Sequence, residues 1–469
     1  MLPSRRAFVA GAAVSAAFAG YALRASGQAP AETYRNQVFG YGPLKADPKG
    51  LFDLPEGFSY SIVSQSGQMM DDGLMVPQKA DGMACFPHRG SQVILVRNHE
   101  LRPTDVELGP AGPGRILAGK LDAKRSFDVD AQGRPLPGGV STIVYDTAAR
   151  KTVRQHLSLT GTAVNCAGGP TPWGSWLTCE ETVQRAGTGV GKNHGWVFEV
   201  PADNRGLVKP EPLTGLGRFQ HEAAAVDPRT GVVYLTEDSF DHLGLFYRFV
   251  PKEPGRLAAG GRLQALGLKE APGGGDVRNF KGQPVTWRPG ESKEVAWIDL
   301  EDTDNPAEDL RIRGQKAGAA FVGRAEGVFF GSEAVYFACT SSGPTQHGQI
   351  LRYHPSPREG QADEASAPGR LELYIEPSDP DVLDYGDNLA ISPWGHMFVC
   401  EDRYSKTLRN HLRAVTPQGQ VYTIGRNVHA LNAELAGVCF SPDGGSCFVN
   451  IYQPGITLAI TGPWAAFRA

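Results

Sequence analysis

Apolar and polar positions alternate along the chain in short runs of about five residues, and six times two such runs meet around a Pro/Gly turn. The pairs read DGMACFPHRGSQVILVRNHE (81 to 100), NCAGGPTPWGSWLTCEE (165 to 181), HEAAAVDPRTGVVYLTED (221 to 238), EGVFFGSEAVYFACTSS (326 to 342), DNLAISPWGHMFVCED (387 to 402) and AGVCFSPDGGSCFVN (436 to 450). Period-two alternation interrupted by turn residues predicts β-hairpins. Further strand-like runs follow, among them STIVYD (141 to 146), LGLFYRFV (243 to 250) and RLELYIE (370 to 376). Four strands per unit and six units predict an all-β fold, a six-bladed β-propeller of four-stranded blades. The last unit stops one strand short at GITLAITG (455 to 462), so GFSYSIVSQ (57 to 65) is expected to close the ring as an N-terminal outer strand.

The remaining segments set the expected domain organisation. Residues 57–469 form a single propeller, with insertions at about 101–138 and 252–320 that read as Gly-, Pro- and charge-rich surface loops walling one face. Residues 30–56 are an N-terminal extension. Residues 1–29 resemble a twin-arginine signal peptide, with Ser4-Arg5-Arg6-Ala7-Phe8-Val9 followed by a weakly apolar run from Ala10 to Leu23. The resemblance implies the twin-arginine translocase as a partner during export, a periplasmic or secreted location, and no stable membrane span after cleavage. Losing Arg5, Arg6 and Arg24 with no acids takes the formal charge from -4 to -7, which argues against nucleic acid as a partner. A monomer is expected. The seven cysteines are odd in number, widely spaced and without a C-x-x-C pattern, which speaks against a disulfide framework or a structural zinc site.

Hairpins place both chain ends of each pair at one end of the ring. The opening and closing positions therefore gather Asp81, Glu100, Glu180, Glu181, Glu222, Glu237, Asp238, Glu326, Asp387, Glu401 and Asp402 at one mouth of the channel. Two carboxylates ~5 Å apart repel by roughly 3 kcal/mol even at an effective dielectric near 20. Such acids must be protonated or hold cations, and dense oxygen ligands favour calcium. Aligned repeat by repeat, the second opening position reads Gly82, Cys166, Glu222, Gly327, Asn388 and Gly437. Cys166 thus stands in a column that elsewhere carries Glu and Asn. A soft thiolate among carboxylates suits a redox-capable or trivalent metal, and iron is the candidate.

On a longer string of residues the chain resembles the PhoX-type alkaline phosphatases. The string comprises Asn98-His99-Glu100, Gly161-Thr162, Asn165-Cys166-Ala167-Gly168, Thr171-Pro172-Trp173-Gly174, Thr178-Cys179-Glu180-Glu181, His221-Glu222-Ala223, Thr236-Glu237-Asp238, Arg324 with Glu326, and Cys400-Glu401-Asp402. The resemblance implies a channel-mouth cluster of Ca2+ and Fe3+ with a bridging oxo group, and hydrolysis of small phosphorylated metabolites by a metal-bound oxo or hydroxide nucleophile. It implies that Cys166 is the iron-bound thiolate, that Glu181 and Glu222 bind iron or calcium, and that Glu326 binds calcium. Glu100, Glu180, Glu237, Asp238, Asp387, Asn388, Glu401 and Asp402 complete the candidate ligands from the ring. Arg324 is the expected phosphate clamp, its planar guanidinium suiting bidentate phosphate oxygens, with Glu326 beside it in the catalytic group. His99 and His221 are candidates to protonate the leaving group or to hydrogen-bond the ligands. The chain departs from the family pattern at Gly323 and Gly327, where an Asp and a Trp are usual, and at Thr182-Val183, where Asn-Trp is usual. A calcium-dependent lactonase, for which Asp387-Asn388 and Asn165 are the candidate ligands, is one alternative. A non-catalytic extracytoplasmic binding module is another.

Overall fold

The computed structural model describes residues 34–403, 405 and 407–469. The twin-arginine segment lies outside the described residues. Among the described residues strands dominate, with one seven-residue α-helix, Leu310–Lys316, and several short 3-10 turns. No helix among the described residues is long and apolar enough to cross a membrane.

The fold is all-β and propeller-like. The first strands of the six predicted hairpins are Ala80–Pro87, Asn165–Pro170, His221–Val226, Ala325–Phe330, Gly386–Ile391 and Leu435–Phe440. Each packs beside the next, and the last packs beside the first, so they enclose an axis. From each, an antiparallel sheet runs outward. Apolar clusters fill the gaps between successive sheets, because alternating side chains give each sheet two buried faces. Trp176 and Phe198 meet Ala84 and Val96 in one gap, while Phe398 and Leu412 meet Val438 and Leu458 in another.

The ring closes as the alternation predicts. Ser59–Gln65 pairs antiparallel with Ile456–Thr461, from Gln65 opposite Ile456 to Ser59 opposite Thr461, with one register shift where Val63 is passed over. The extension before it is structured too, since Phe52–Pro55 pairs with Val421–Asn427 at the outer edge of the fifth sheet. Its turn is fixed by Asp47, whose carboxylate accepts from the Leu51 and Phe52 amides and the Tyr60 hydroxyl.

The 252–320 segment differs from the surface loop expected. Gly261–Leu268 is the outer strand of the third sheet, and Ser292–Asp299 pairs both with it and with Arg370–Ile375 of the fourth. The segment therefore welds two sheets into one. Behind the weld, Arg248 is 2 % exposed and donates to Glu359 (2.6 Å), to both oxygens of Glu364 (2.7 and 2.6 Å) and to Gln264 (2.7 Å). All seven cysteines are free thiols.

Removing one partner of a buried charge network strands the other, at a typical cost of about 3–5 kcal/mol. Arg248→Met is thus expected to lower the urea midpoint of unfolding markedly. A midpoint equal to wild type would show that the Arg248 network carries no stability.

Candidate metal centre

Every inner hairpin carries a β-bulge at the same height. The pairing runs Ala80 with His99 and then Met83 with Arg97, leaving Asp81 and Gly82 opposite Asn98 alone. The same two-against-one step recurs at Cys166-Ala167, Glu222-Ala223, Glu326-Gly327, Asp387-Asn388 and Gly437-Val438. A bulge turns a residue out of the pleat and re-aims its side chain. Its first residue is Asp81, Cys166, Glu222, Glu326, Asp387 or Gly437, so five of the six positions carry a potential ligand.

This frame corrects the alignment read from sequence. Gly82, Gly327 and Asn388 are second bulge residues and stand one place behind the column of Cys166 and Glu222. The second position is crowded by the neighbouring inner strand: a Cβ on Gly82 would lie 2.5 Å from the Ala167 Cα, and one on Gly327 would lie 2.8 Å from the Asn388 Cα. The ring is too tight there for the Trp usual in the family. Gly323 is similarly hemmed in, with Ser342 Oγ 2.5 Å from where its Cβ would stand.

The bulge residues and the acids that follow the second strands form four overlapping triads. These are Cys166, Glu181 and Glu222; Glu222, Glu326 and Asp387; Asp387, Asp402 and Glu434; and Glu434, Asp81 and Glu100. Within each triad, one ligand atom per residue lies within 4.8 Å of the others. Cys166 Sγ lies 3.8 Å from Asp81 Oδ2, which closes the circuit.

Burial and mutual repulsion push the protonation equilibria of this circuit one way. Burial first, then neighbouring acids, raise Asp81, Glu181, Glu222, Glu326 and Glu434 well above the usual carboxylate range. Asp387 is raised to about 7 by burial and by Asp402. The Cys166 thiol is pushed up by burial and by Asp81 and Glu222. Glu222 is fully buried, and neither of its carboxylate oxygens has a hydrogen-bond partner; Asp81 Oδ1 is orphaned as well. Buried polar atoms left unpaired cost about 1–3 kcal/mol each, more when charged. Oxygens aimed inward at one another with no donors fit cations, and the single thiol among them fits a softer metal than calcium.

Of the residues singled out in the sequence, Asp81, Glu100, Cys166, Glu181, Glu222, Glu326, Asp387 and Asp402 come together. Glu180, Glu237 and Glu401 do not join the triads, and each sits one residue before Glu181, Asp238 and Asp402 respectively. Successive side chains of a strand point to opposite faces, so they turn away from the axis. Glu180 accepts from the Ala163, Gly195 and Trp196 amides and pairs with His194 at 2.7 Å. Glu237 accepts from Tyr247 Oη and the Leu245 amide. Glu401 pairs with His411 and Arg413, which outweigh burial and hold it at about 2. Asn388 also stays outside the triads, donating to Asp387 and accepting from the Gly437 amide. His99 and His221 are fully buried and hydrogen-bonded to the Gln78 and Gly217 carbonyls, and burial keeps both rings neutral. They position strands and are poor proton donors.

Glu434 escaped the sequence reading. Gly437 leaves the sixth bulge position bare, with φ +63° and the Asp81 carbonyl 2.4 Å from where a Cβ would stand. Glu434, just before the strand, supplies the missing acid. No repeat signal marks it, because it stands before the first strand instead of at a bulge or after a closing strand. Arg324 itself makes a bidentate pair with Asp238 (2.9 and 2.6 Å) and reaches Glu326 Oε1 at 3.1 Å. Asp238 is thereby the anchor of the arginine.

A propeller-like ring whose axial mouth concentrates carboxylates and one thiol is suited to holding metal ions. A family profile described as alkaline phosphatase PhoX matches residues 39–132 and 137–455, and the chain belongs to that family. It is a metal-dependent phosphatase. Among solved structures, PhoX of Pseudomonas fluorescens in complex with vanadate, a transition state analogue, matches with a TM-score of 0.66 at 19% identity, over 92% of this chain and 98% of that one. A gluconolactonase from Xanthomonas campestris matches with a TM-score of only 0.39 at 12% identity, over 90% and 98% of the two chains. No curated protein sequence matches the chain.

An acid whose folded pKa is raised keeps its proton when the unfolded chain has released it, so folding stability falls as pH rises between the two values. For Asp387, raised from 3.8 to about 7, the loss is on the order of 4 kcal/mol across that window. In chelator, the thermal midpoint is expected to fall steadily from pH 5 to pH 8. Asp387→Asn should flatten that slope, and excess calcium should abolish it. A chelated protein with a pH-independent midpoint would contradict the circuit's electrostatics.

Proposed function

We propose that the chain hydrolyses phosphate monoesters of small metabolites at the axial circuit, with calcium and iron as its cations. The observation that carries this reading is Glu222, a fully buried carboxylate with both oxygens unpartnered between a thiol and three further acids, Glu181, Glu326 and Asp387. Cys166, Glu181 and Glu222 would hold the iron. Glu326, Asp387, Asp402, Glu434, Asp81 and Glu100 would hold calcium. Cations bound there would supply the positive charge that receives phosphate oxygens and the activation of water as nucleophile.

The chain's own residues do the positioning. Arg324 borders the circuit through Glu326, and its guanidinium suits phosphate oxygens. Asp238 fixes the guanidinium plane through two hydrogen bonds and so removes rotational freedom before substrate arrives. The vanadate bound by the Pseudomonas fluorescens relative supports the same chemistry. The lactonase alternative asks for asparagine ligands, but Asn165 is spent on Thr162 and Thr178, and Asn388 on Asp387 and Gly437.

The same reading includes the finer architecture and location. We count the ring as six blades, the third and fourth fused through Ser292–Asp299, and 57–469 as one domain. Six inner strands in a closed circuit and an apolar cluster in each of six gaps support the count. Arg5-Arg6 and the run after them support twin-arginine export of a monomer to the periplasm or beyond.

Cys166→Ser is expected to lose iron, measured by elemental analysis, together with most phosphomonoester turnover. Arg324→Lys should keep the metals while kcat/KM falls by about 10²- to 10³-fold. Full iron and full turnover in the Cys166 variant would overturn the ligand assignment.

A further inference from the structure

Phe240 is 65 % exposed, and it follows Asp238 by two residues. Its ring centroid lies 4.8 Å from Arg324 Cζ. One guanidinium therefore separates this ring from Glu326 and the ligand circuit. The surroundings continue the same chemistry. His242 packs against Phe280 at 4.9 Å and is held by Ser341 Oγ at 2.9 Å. Arg278 donates to the His242 carbonyl at 2.8 Å and lies 5.3 Å from the Phe280 ring. A wall of aromatic and cationic groups, part from the 238–242 turn and part from the 252–320 segment, thus stands beside the phosphate-binding arginine.

We propose that Phe240 is a specificity-determining residue that takes the leaving group of an aromatic phosphomonoester, an aryl or heteroaryl phosphate, on its exposed ring. The inference rests on the phosphomonoesterase reading above, with the phosphate at Arg324. With the phosphate at Arg324, the exposed large apolar side chain against that guanidinium is Phe240, and the attached group of the ester would reach it. A planar leaving group gains offset or edge-to-face contact with the ring, worth about 0.5–1.5 kcal/mol beyond area burial. A saturated group of the same size gains less.

The test compares phenyl phosphate with cyclohexyl phosphate in the metal-loaded enzyme, in wild type and in Phe240→Ala and Phe240→Trp. Phe240→Ala is expected to lower kcat/KM for phenyl phosphate about five- to tenfold, mostly through KM, and for cyclohexyl phosphate less than twofold. Phe240→Trp is expected to restore the preference. Equal losses on both esters would assign Phe240 to propping Arg324 and overturn the inference, as would no loss on either. If wild type turns over neither ester, the phosphatase reading itself fails. Calorimetric binding of phenylphosphonate and cyclohexylphosphonate then decides the aromatic preference: a wild-type preference lost in Phe240→Ala upholds it, and its absence in wild type overturns it.

Discussion

Mutual repulsion among buried carboxylates is the constraint around which the rest of this molecule is arranged. Eight acidic or thiol groups and Glu434 follow one another around a single mouth, closer than unscreened charges tolerate. Water could relieve the repulsion only if the residues were exposed, and Glu222 is not. Protons relieve it partly, at the cost of the ligands' charge. Cations relieve it fully, and the same cations are what a phosphate group needs. The structural difficulty and the catalytic capacity share one origin.

Backbone irregularity is what brings the groups together. A regular strand would send alternate side chains to the faces between sheets, where Trp176 and Phe398 pack. The bulge interrupts that alternation once per inner strand, at one height, and aims one residue into the axis. The residue after it lies against the neighbouring inner strand, so closely at Gly82 and Gly327 that a Cβ would meet backbone. Acids one place earlier on the closing strands, Glu180, Glu237 and Glu401, became brackets for the outer sheets through His194, Tyr247 and Arg413.

Much of this was legible in the alternation itself. The hairpins, the closing strand at 57 to 65 and most of the acids that converge could be read directly, because period-two patterning and turn residues act locally. The bulge frame could not, since a two-against-one step leaves no mark in residue type, and so Asp81, Glu326 and Asp387 were aligned one place off. Glu434 hid because its repeat offers only Gly437 at the expected position. Ser292–Asp299 was hidden by its setting, a strand whose partners lie in two different sheets and whose flanks are rich in Gly and Pro.

The pairing of Ser59–Gln65 with Ile456–Thr461 also has a temporal meaning. A ribosome releases the first of these strands about 400 residues before the second, so no product that stops short of Ile456 contains its own seam. Closure demands a contact between segments separated by nearly all of the ring, the slowest kind to form. Until then the outer edge of the sixth sheet and the apolar gap beside it stay open to other chains. Assembly of the ring, and of the ion-binding mouth at its axis, therefore waits until Ile456–Thr461 has been made.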